Sequence, residues 1–209
     1  MLLSTAPSER LLQHVTVVAE VASFLAHRAA QAGLAVDRRL IETAALLLDV
    51  DKALPLDHPV RALGHGEAGA SWLREAGHAE LARAIAAHPV MRLAEPGAAD
   101  WVGSAPLEDR IVCYADKRAT QRVVTIEQRF ARWRRRHPEY ADRLADSMAL
   151  ARRLEDDLCG AVGVLPGQVE RLRWVEEAMA RARANGHLAA AAEPHQVRGG
   201  PQPRSSDAP

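Results

Sequence analysis

Apolar residues recur at helical spacing through most of the chain. Within residues 9–32, Val18, Val21 and Leu25 follow one another at intervals of three and four residues. That spacing puts their side chains on one face of a helix. Gly33 comes directly after the segment, and glycine is common just beyond a helix end. We therefore predict an amphipathic first helix over these residues.

The second predicted helix is apolar on nearly all of its sides. It begins after Asp37, a residue type that caps helices, and extends to about Val50 through the run AALLL at 44–48. A helix without a polar face is buried in a globular protein. We expect this helix at the centre of the fold, with Asp49 at its end.

Helical periodicity returns several times in the rest of the chain, interrupted by proline and glycine. The further helices are predicted over residues 67–76, 79–87, 106–119, 125–136, 138–160 and 168–185. Loops are predicted over residues 51–66 and 94–105. Two helix starts are marked, one by Pro106 and one by the capping-box spacing of Thr125 and Gln128. The pattern indicates an all-α fold, a compact bundle of about seven or eight helices.

Length and composition favour a single domain. Of the 209 residues, 48% are hydrophobic but only 4% are aromatic, so the core is built mainly from Ala, Leu and Val, which pack well between close helices. We predict one helical domain over residues 1–186, with its motifs at 10–135 and C-terminal helices at 138–186. Residues 187–209 are rich in Ala, Pro, Gly, Gln and Ser, so they are predicted to form a disordered tail.

The charge balance argues against a general affinity for nucleic acid or anionic lipid. Lys plus Arg, 27, equals Asp plus Glu, 27. No apolar run approaches the roughly 20 residues of a membrane-spanning helix, and no charged segment followed by an apolar one opens the chain. Because both cysteines lie in helical segments, we expect a cytoplasmic protein with no membrane partner. No pattern in the sequence indicates the oligomeric state.

Five potential metal ligands stand at helix ends or on apolar helix faces: His14, Asp49, His65, His88 and Asp116. Singly, each has an ordinary explanation as a hydrogen-bonded core histidine or a salt-bridged carboxylate. His14, however, shares a helix face with apolar residues, so its ring points inward, where an unpaired nitrogen is costly. Asp49 and Asp116 also face the core, where two carboxylates repel each other unless a cation lies between them. A shared metal ion would satisfy all of these groups.

These residues resemble the pattern of the HD superfamily of metal-dependent phosphohydrolases. That pattern has a His on the first helix, a His-Asp pair at the end of the second, and an Asp on a later helix. The matching residues are His14, the Leu48-Asp49 pair in AALLLDVDK, and Asp116 in IVCYADKR. Many members have two more histidines in between, which correspond to His65 in LGHGEAGASWL and His88 in IAAHPV. The resemblance extends over residues 10–135.

The resemblance implies a site for one or two divalent ions. In two-metal members, the first His, the His-Asp pair and the last Asp hold one ion, while the same paired Asp and the two middle histidines hold the other. The corresponding sets here are His14, Asp49 and Asp116 for the first ion and Asp49, His65 and His88 for the second. Leu48 stands where the family has its His and cannot bind a metal, but three protein ligands suffice when water completes the coordination. A replacement ligand from His58, Asp51 or Asp57 stays open.

The implied reaction is hydrolysis of a phosphate ester or anhydride of a small nucleotide-like metabolite. Mixed imidazole and carboxylate ligation favours Mn, Fe, Co, Ni or Zn, which generate hydroxide near neutral pH. Asp49 would orient the nucleophile, Lys52 would contact the phosphate, and Glu67 would accept a proton or hold a ligand in place. Alternatively, Lys52 is solvated and Glu67 compensates a helix dipole. The alternative function is a degenerate HD domain that binds a nucleotide or a protein without turnover, for which Leu48 is the indication.

The one dense basic run is ARWRRRH at 131–137. Together with the preceding arginine it comprises Arg129, Arg132, Arg134, Arg135 and Arg136. At the end of a helix these side chains favour the C-terminal dipole and are solvated. Together with Trp133 they could instead contact the phosphates of a substrate, or bind RNA weakly, which is a third hypothesis.

Overall fold

In a computed structural model, the protein is described over residues 1–191, with side chains described to residue 185. Within that range it consists of helices and turns, with one isolated bridge between Ala119 and Val123. The α-helices are α1 (Glu9–Gln31), α2 (Arg38–Leu47), α3 (Glu67–Glu75), α4 (Ala82–Ala87), α5 (Ala98–Ser104), α6 (Leu107–Lys117), α7 (Ile126–Arg136), α8 (Ala141–Ala161) and α9 (Val175–Ala191). Short 3-10 helices lie between them at Leu2–Thr5, Val50–Ala53, Pro59–Leu63, Ala79–Leu81, Val90–Ala94, Pro138–Tyr140 and Pro166–Gln168. The predicted all-α fold is confirmed.

Polar caps fix the starts of three helices. The side chains of Ser8 and Asp37 each accept a hydrogen bond from the backbone amide three residues further on, at the first turns of α1 and α2. Thr125 and Gln128 form the predicted capping box at the start of α7. These bonds satisfy amide groups that have no partner inside the helix, and each stabilises its helix by about 1 kcal/mol.

The helix predicted at the centre of the fold packs against three others. α2 contacts α1, α4 and α6, and its residues Ile41, Ala44 and Ala45 are fully buried. Its first turn is exposed, so only the later part matches the prediction of a helix buried on all sides. The helix ends at Leu47, and Asp49 lies in the turn that leads into the 3-10 helix Val50–Ala53.

The structure corrects the prediction for two elements. The loop predicted over 94–105 contains α5, which begins after Gly97, a residue with a φ of 81°. The last helix begins at Val175 rather than near residue 168. α5 was missed because the glycine before it is typical of a loop. The start of α9 was placed too early because contacts with a distant part of the chain override the helical periodicity.

The segment before α9 is held in irregular form by contacts with α1. The amide of Leu172 donates to the carbonyl of Glu20 instead of to a helical carbonyl. The guanidinium of Arg171 donates to the carboxylate of Glu20, and Trp174 Nε1 donates to Ser23 Oγ. Because their polar groups are satisfied by α1, these residues have no need of a helical turn.

Met1–Val175 forms one compact unit, and a second unit begins at Glu176. The predicted domain boundary at residue 186 falls within α9, which extends to Ala191, past the predicted stop near residue 185. The rest of the predicted tail, residues 192–209, lies outside the described residues. None of the described helices combines the length and the apolar character required to cross a membrane.

Candidate metal centre

Five separate elements deliver the five predicted ligands to one cluster. His14 comes from α1, Asp49 follows α2, His65 precedes α3, His88 caps the end of α4, and Asp116 lies in the last turn of α6. All but His65 are buried among the residues that these helices enclose. Every residue that was predicted as a ligand therefore belongs to this cluster.

Asp49 is the centre of the cluster. Its Oδ1 lies 3.4 Å from His65 Nε2 and 3.5 Å from His88 Nε2. Its Oδ2 lies 3.5 Å from His14 Nε2. One carboxylate thus faces three imidazoles, with the two oxygens directed to different partners, as a bridging ligand requires.

Asp49, His65 and His88 form a triangle of ligand atoms. The two Nε2 atoms are 3.1 Å apart, so the edges of the triangle measure 3.1, 3.4 and 3.5 Å. An ion bound at about 2.1 Å to each ligand sets separations of about 3.0 Å in octahedral and 3.4 Å in tetrahedral geometry. The triangle therefore has the dimensions of half a coordination sphere, and within the described part of the chain it is the one group of three such residues that converges this closely.

The hydrogen bonds of the imidazoles leave their Nε2 atoms available. His88 Nδ1 lies 2.6 Å from the carbonyl oxygen of Ile85, and His65 Nδ1 lies 2.9 Å from Asp51 Oδ2. His14 Nδ1 faces the carbonyl of Thr120 at 3.3 Å. Each Nδ1 faces an acceptor, and in the tautomer that donates from Nδ1 each Nε2 presents a lone pair to the cluster.

These lone pairs are not satisfied by one another. In that tautomer the two imidazoles cannot hydrogen-bond to each other through Nε2, yet His65 Nε2 and His88 Nε2 lie 3.1 Å apart beside an oxygen of Asp49. Such an arrangement is repulsive unless a cation lies between the atoms. The donor set therefore fits a divalent metal ion held by Asp49, His65 and His88.

A close approach of two backbones brings the two histidines together. Gly66, directly after His65, has a φ of 88°, and a Cβ on it would lie 2.6 Å from Pro89 Cγ, directly after His88. Only glycine adopts this conformation without strain and leaves this space free. The glycine is thus required where the start of α3 passes the end of α4.

His14 and Asp116 form the second part of the cluster. His14 Nε2 lies 3.2 Å from Asp116 Oδ1, which also receives a bond from Arg129 at 3.3 Å. Asp116 Oδ2 accepts from Lys117 at 3.0 Å, and the same ammonium donates to the carbonyl of His88. Both cations lie against the carboxylate that the resemblance assigns to the first ion, so this side of the cluster is already partly neutralised.

The electrostatic environment holds the candidate ligands in their binding forms. Burial by itself raises the pKa of Asp49, but the contact with His88 and the charge of Lys52 bring it below its ordinary value. For Asp116, burial is likewise outweighed, above all by Lys117, and its pKa lies well below the ordinary value. Burial lowers the pKa of His88, against the opposing effect of Asp49. Ionised carboxylates and a neutral imidazole are the species that bind metals.

Two predicted catalytic residues lie beside the cluster. Lys52 Nζ contacts Asp49 Oδ1 at 2.6 Å, while its side chain is 49% exposed. Glu67 lines the same cleft, but its carboxylate accepts from Arg92 at 2.6 Å. Lys52 thus touches the centre directly, and Glu67 is engaged in an ion pair at its edge.

The proposed replacement ligands are placed elsewhere. Leu48 is fully buried. Asp51 does not point its oxygens at the triangle but accepts from His65 Nδ1, and its Oδ1 has no hydrogen-bond partner among the described residues. His58 caps the 3-10 helix Pro59–Leu63 through Nδ1, and Asp57 is exposed. Asp51 is therefore an orienting residue for His65.

Three residues of the site were not predicted: Asp51 as an orienting group, and Lys117 and Arg129 as partners of Asp116. Lys117 is fully buried, which is rare for a lysine without a charged partner. Its position directly after Asp116 is the sequence feature from which this role could have been predicted. Arg129 comes from α7, and no sequence spacing relates it to α6.

Two clefts open from the cluster, each containing Asp49, Lys52, Arg129 and Trp133. The histidine cleft, about 470 Å³, also contains the residues Leu63, His65, Glu67, Pro89, Val90, Met91, Arg92, Glu95 and Asp116. The arginine cleft, about 380 Å³, also contains the residues Ser8, Arg10, Leu11, His14, Gln121, Arg132 and Arg136. A ligand at the cluster could therefore extend in two directions, one partly apolar and one strongly basic.

Comparison with family models gives one assignment for this chain. The HD domain model matches residues 11–121, which include all five residues of the cluster. Searches of curated proteins and of solved structures gave no match. HD domains are typically metal-dependent phosphohydrolases and bind divalent metals. On the strength of this match over more than half of its length, the chain belongs to the HD domain family.

Proposed function

We propose that this protein is a metal-dependent phosphohydrolase that cleaves a phosphate ester or anhydride of a small nucleotide-like metabolite. The observation that carries the proposal is the pair of imidazole Nε2 atoms, 3.1 Å apart, that converge on one oxygen of Asp49 while both Nδ1 atoms are occupied. A purely structural cluster would use these nitrogens for hydrogen bonds within the protein.

The residues divide into two groups of ligands. Asp49, His65 and His88 would hold one divalent transition metal, for which Mn, Fe, Co, Ni and Zn are the candidates. His14 and Asp116 share Asp49 with this group and would hold a second ion or orient the nucleophile. When bound, the metal supplies a nucleophile at neutral pH and Lewis acidity toward a phosphoryl oxygen.

Lys52 and Arg129 are proposed to neutralise the phosphate. Both line the two clefts at their junction, and each now forms an ion pair with a carboxylate of the cluster. Developing negative charge on a phosphoryl group is stabilised by such positioned cations. Asp49 orients the attacking group, because its oxygens face both halves of the cluster.

Glu67 stays a proposed proton acceptor. It lies in the histidine cleft, but its bond to Arg92 favours a role in holding that guanidinium in place. Glu67→Gln separates the two roles. If Glu67 accepts a proton, the variant should have a changed pH profile of hydrolysis. If Glu67 only holds Arg92 in place, the variant should have a higher KM and an unchanged profile.

The proposal is tested first by metal analysis. We expect the purified protein to contain close to one or two transition-metal ions, and Asp49→Asn to lose nearly all of them. Asp57→Asn, an exposed carboxylate of the following loop, is the matched control and should retain its metal. The metal-loaded protein is then screened with nucleotides, dinucleoside polyphosphates and sugar phosphates. Equal metal content in the two variants, or hydrolysis unaffected by Asp49→Asn, would contradict the proposal.

The second candidate is a member of the family that binds without turnover. It is favoured by Leu48, a buried apolar residue directly before Asp49 at the position where the resemblance expects a His. This protein would bind metal and a nucleotide but hydrolyse none of the screened compounds. A cytoplasmic setting, favoured by the two free and buried cysteines, is compatible with either function.

A further inference from the structure

Three of the positive charges of the arginine cleft come from one face of α7. Arg129, Arg132 and Arg136 are spaced by three and four residues, so they project from the same side of the helix, and all three line the cleft. Trp133 is also part of this face, with the Arg129 guanidinium 4.3 Å from its ring centroid. Arg134 belongs to the same basic run but is exposed and does not line the cleft. The basic run thus has some arginines that line the cleft and others that do not.

The opposite wall of the cleft is the start of α1. Ser8, its N-cap, and Arg10, in its first turn, both line the cleft. A helix N-terminus carries a partial positive charge, so an arginine in the first turn is of the unfavourable sign. Glu9, in the same turn, does not line the cleft, so on the cleft side this wall adds the positive charge of Arg10 to that of α7.

Much of this charge has no partner within the protein. Among the described residues, no carboxylate lies within 4.0 Å of Arg10, Arg132 or Arg136, whereas Arg129 is paired with Asp116. All three line the same cleft, and burial, then the charges of Arg136 and Arg10, lower the pKa of Arg132. Like charges gathered in a cleft are destabilising unless an anion binds between them.

We propose that the arginine cleft binds a second anionic group of the substrate, so that the substrate class is a compound with two or more linked phosphates. This inference rests on the proposed function for the first phosphate, which would lie at Asp49 and Lys52, where the two clefts meet. Arg10, Arg132 and Arg136 would then hold the further phosphate groups. The histidine cleft, with Leu63, Val90 and Met91, would hold the less polar remainder of the molecule.

The size and location of the cleft favour a small polyanion over a nucleic acid. Its volume is about 380 Å³, and it ends at the metal-ligand cluster. An extended nucleic-acid surface would use the exposed arginines of α7 as well, because phosphate contacts add along the backbone. The net charge of the chain is +0, so the chain as a whole has no general attraction for a polyanion such as nucleic acid.

The experiment is a calorimetric titration of the full-length protein with tripolyphosphate and with orthophosphate at fixed, physiological salt. It is done on the protein as purified and again after removal of metal, so that affinity measured without metal comes from the protein's own side chains. We expect tripolyphosphate to bind the metal-free protein at least about 10-fold more tightly than orthophosphate, since several charge-assisted contacts act together. Arg132→Ala and Arg136→Ala should each weaken tripolyphosphate binding about 10-fold.

Arg134→Ala is the matched control, because it removes the same charge from the same helix outside the cleft. We expect its affinity to stay within about twofold of the unmodified protein. Equal weakening by Arg134→Ala and Arg132→Ala would overturn the proposal in favour of a diffuse charge effect. Absence of tripolyphosphate binding to the metal-free protein would also overturn the proposal. So would displacement of tripolyphosphate by a single-stranded RNA oligonucleotide whose binding is weakened by Arg134→Ala.

The outcome is independent of turnover. If Asp49→Asn keeps its metal or no hydrolysis is found, the proposed function fails while the titration of the metal-free protein still reports on the cleft. If hydrolysis is found and the titration shows no role for Arg132 and Arg136, only this inference fails.

Discussion

The carboxylate that contacts three imidazoles is preceded by a fully buried leucine. Leu48 occupies the position at which the HD pattern has a histidine, one residue before Asp49. If the match holds at this residue, Leu48→His supplies a missing ligand, and we expect metal to bind about 10-fold more tightly, equal to ~1.4 kcal/mol. Competition of the metal-loaded protein with a chelator measures this change.

Leu47→His is the control for that substitution. Leu47 is also buried, at 5% exposure, and belongs to the same turn. Burying an imidazole there should only destabilise the protein, because no metal is available to pair with it. If Leu48→His behaves like Leu47→His and metal binding is unchanged, the assignment of Leu48 to the histidine position is wrong.

His88 gives the metal-free protein a predicted dependence on pH. Burial lowers the pKa of His88 in the folded protein from the ordinary value of 6.5. As the pH falls below 6.5, the unfolded chain therefore takes up a proton that the folded protein does not, so stability is greatest above this pH and decreases below it. We expect the free energy of unfolding by urea to fall by about 1 kcal/mol between pH 7.5 and 5.5 through this residue.

His88→Gln should reduce that dependence. Substitution of His78, whose side chain is 43% exposed, should leave it unchanged. An equal loss of stability at pH 5.5 in the His88→Gln variant and in the unmodified protein would assign the effect to other groups.

At this scale the sequence predicted the members of the cluster better than their surroundings. His14, Asp49, His65, His88 and Asp116 could be found because residue type and order suffice. The groups that orient or neutralise them could not, because Asp51 reaches His65 through the shape of a loop, and Arg129 reaches Asp116 from another helix. Such contacts depend on side-chain direction, which spacing along the chain does not specify.

At the scale of elements, the site depends on how the start of α3 passes the end of α4. Gly66→Ala would place a methyl group 2.6 Å from Pro89 Cγ in a backbone with φ of 88°. We expect a loss of about 2–4 kcal/mol in the free energy of unfolding and weaker metal binding, because His65 and His88 must move apart. Urea denaturation and chelator competition measure the two effects.

Gly77→Ala separates strain from crowding. Gly77 has a similar φ of 84°, but a Cβ there meets nothing within 4 Å. It should cost about 1–2 kcal/mol for the left-handed conformation alone and leave metal binding intact. Equal effects on metal binding in both variants would show that the contact between Gly66 and Pro89 does not position the histidines.

The predicted helix positions agree with the structure where the capping residues and the apolar periodicity are clear. The capping box of Thr125 and Gln128 appears as predicted, and α1 ends within one residue of its predicted end. α5 was missed because its seven residues follow a glycine and a loop-like composition. The start of α9 was placed too early because residues 169–174 have helical periodicity but are held by α1, a contact between distant parts of the chain.

At the scale of the molecule, the family match ends well before the compact unit does. The HD domain model covers residues 11–121, whereas the unit extends to Val175. The additional part contributes α7, which forms one wall of the arginine cleft, and α8, which packs against α6 and the 3-10 helix Val90–Ala94. The candidate ligands thus lie in the family region, while residues proposed to distinguish substrates come partly from outside it.

The first and last parts of this unit are joined by a buried ion pair. Glu20 of α1 is fully buried, and its carboxylate accepts from Arg171 Nε at 2.6 Å and from the amide of Val175 at 3.3 Å. Removing one partner of a buried pair leaves an uncompensated charge, which costs about 3–5 kcal/mol. We expect Arg171→Ala to lower the free energy of unfolding by about 3 kcal/mol, since Arg171 itself is partly exposed.

Arg173→Ala is the matched control, because Arg173 is exposed and lies two residues away. Its effect should stay within about 0.5 kcal/mol. Adding Glu20→Gln to Arg171→Ala should restore part of the lost stability, because a neutral amide can be buried without a guanidinium. Urea denaturation of the four proteins tests this, and equal stability of the two single arginine variants would mean that the pair does not hold α1 to the end of the unit.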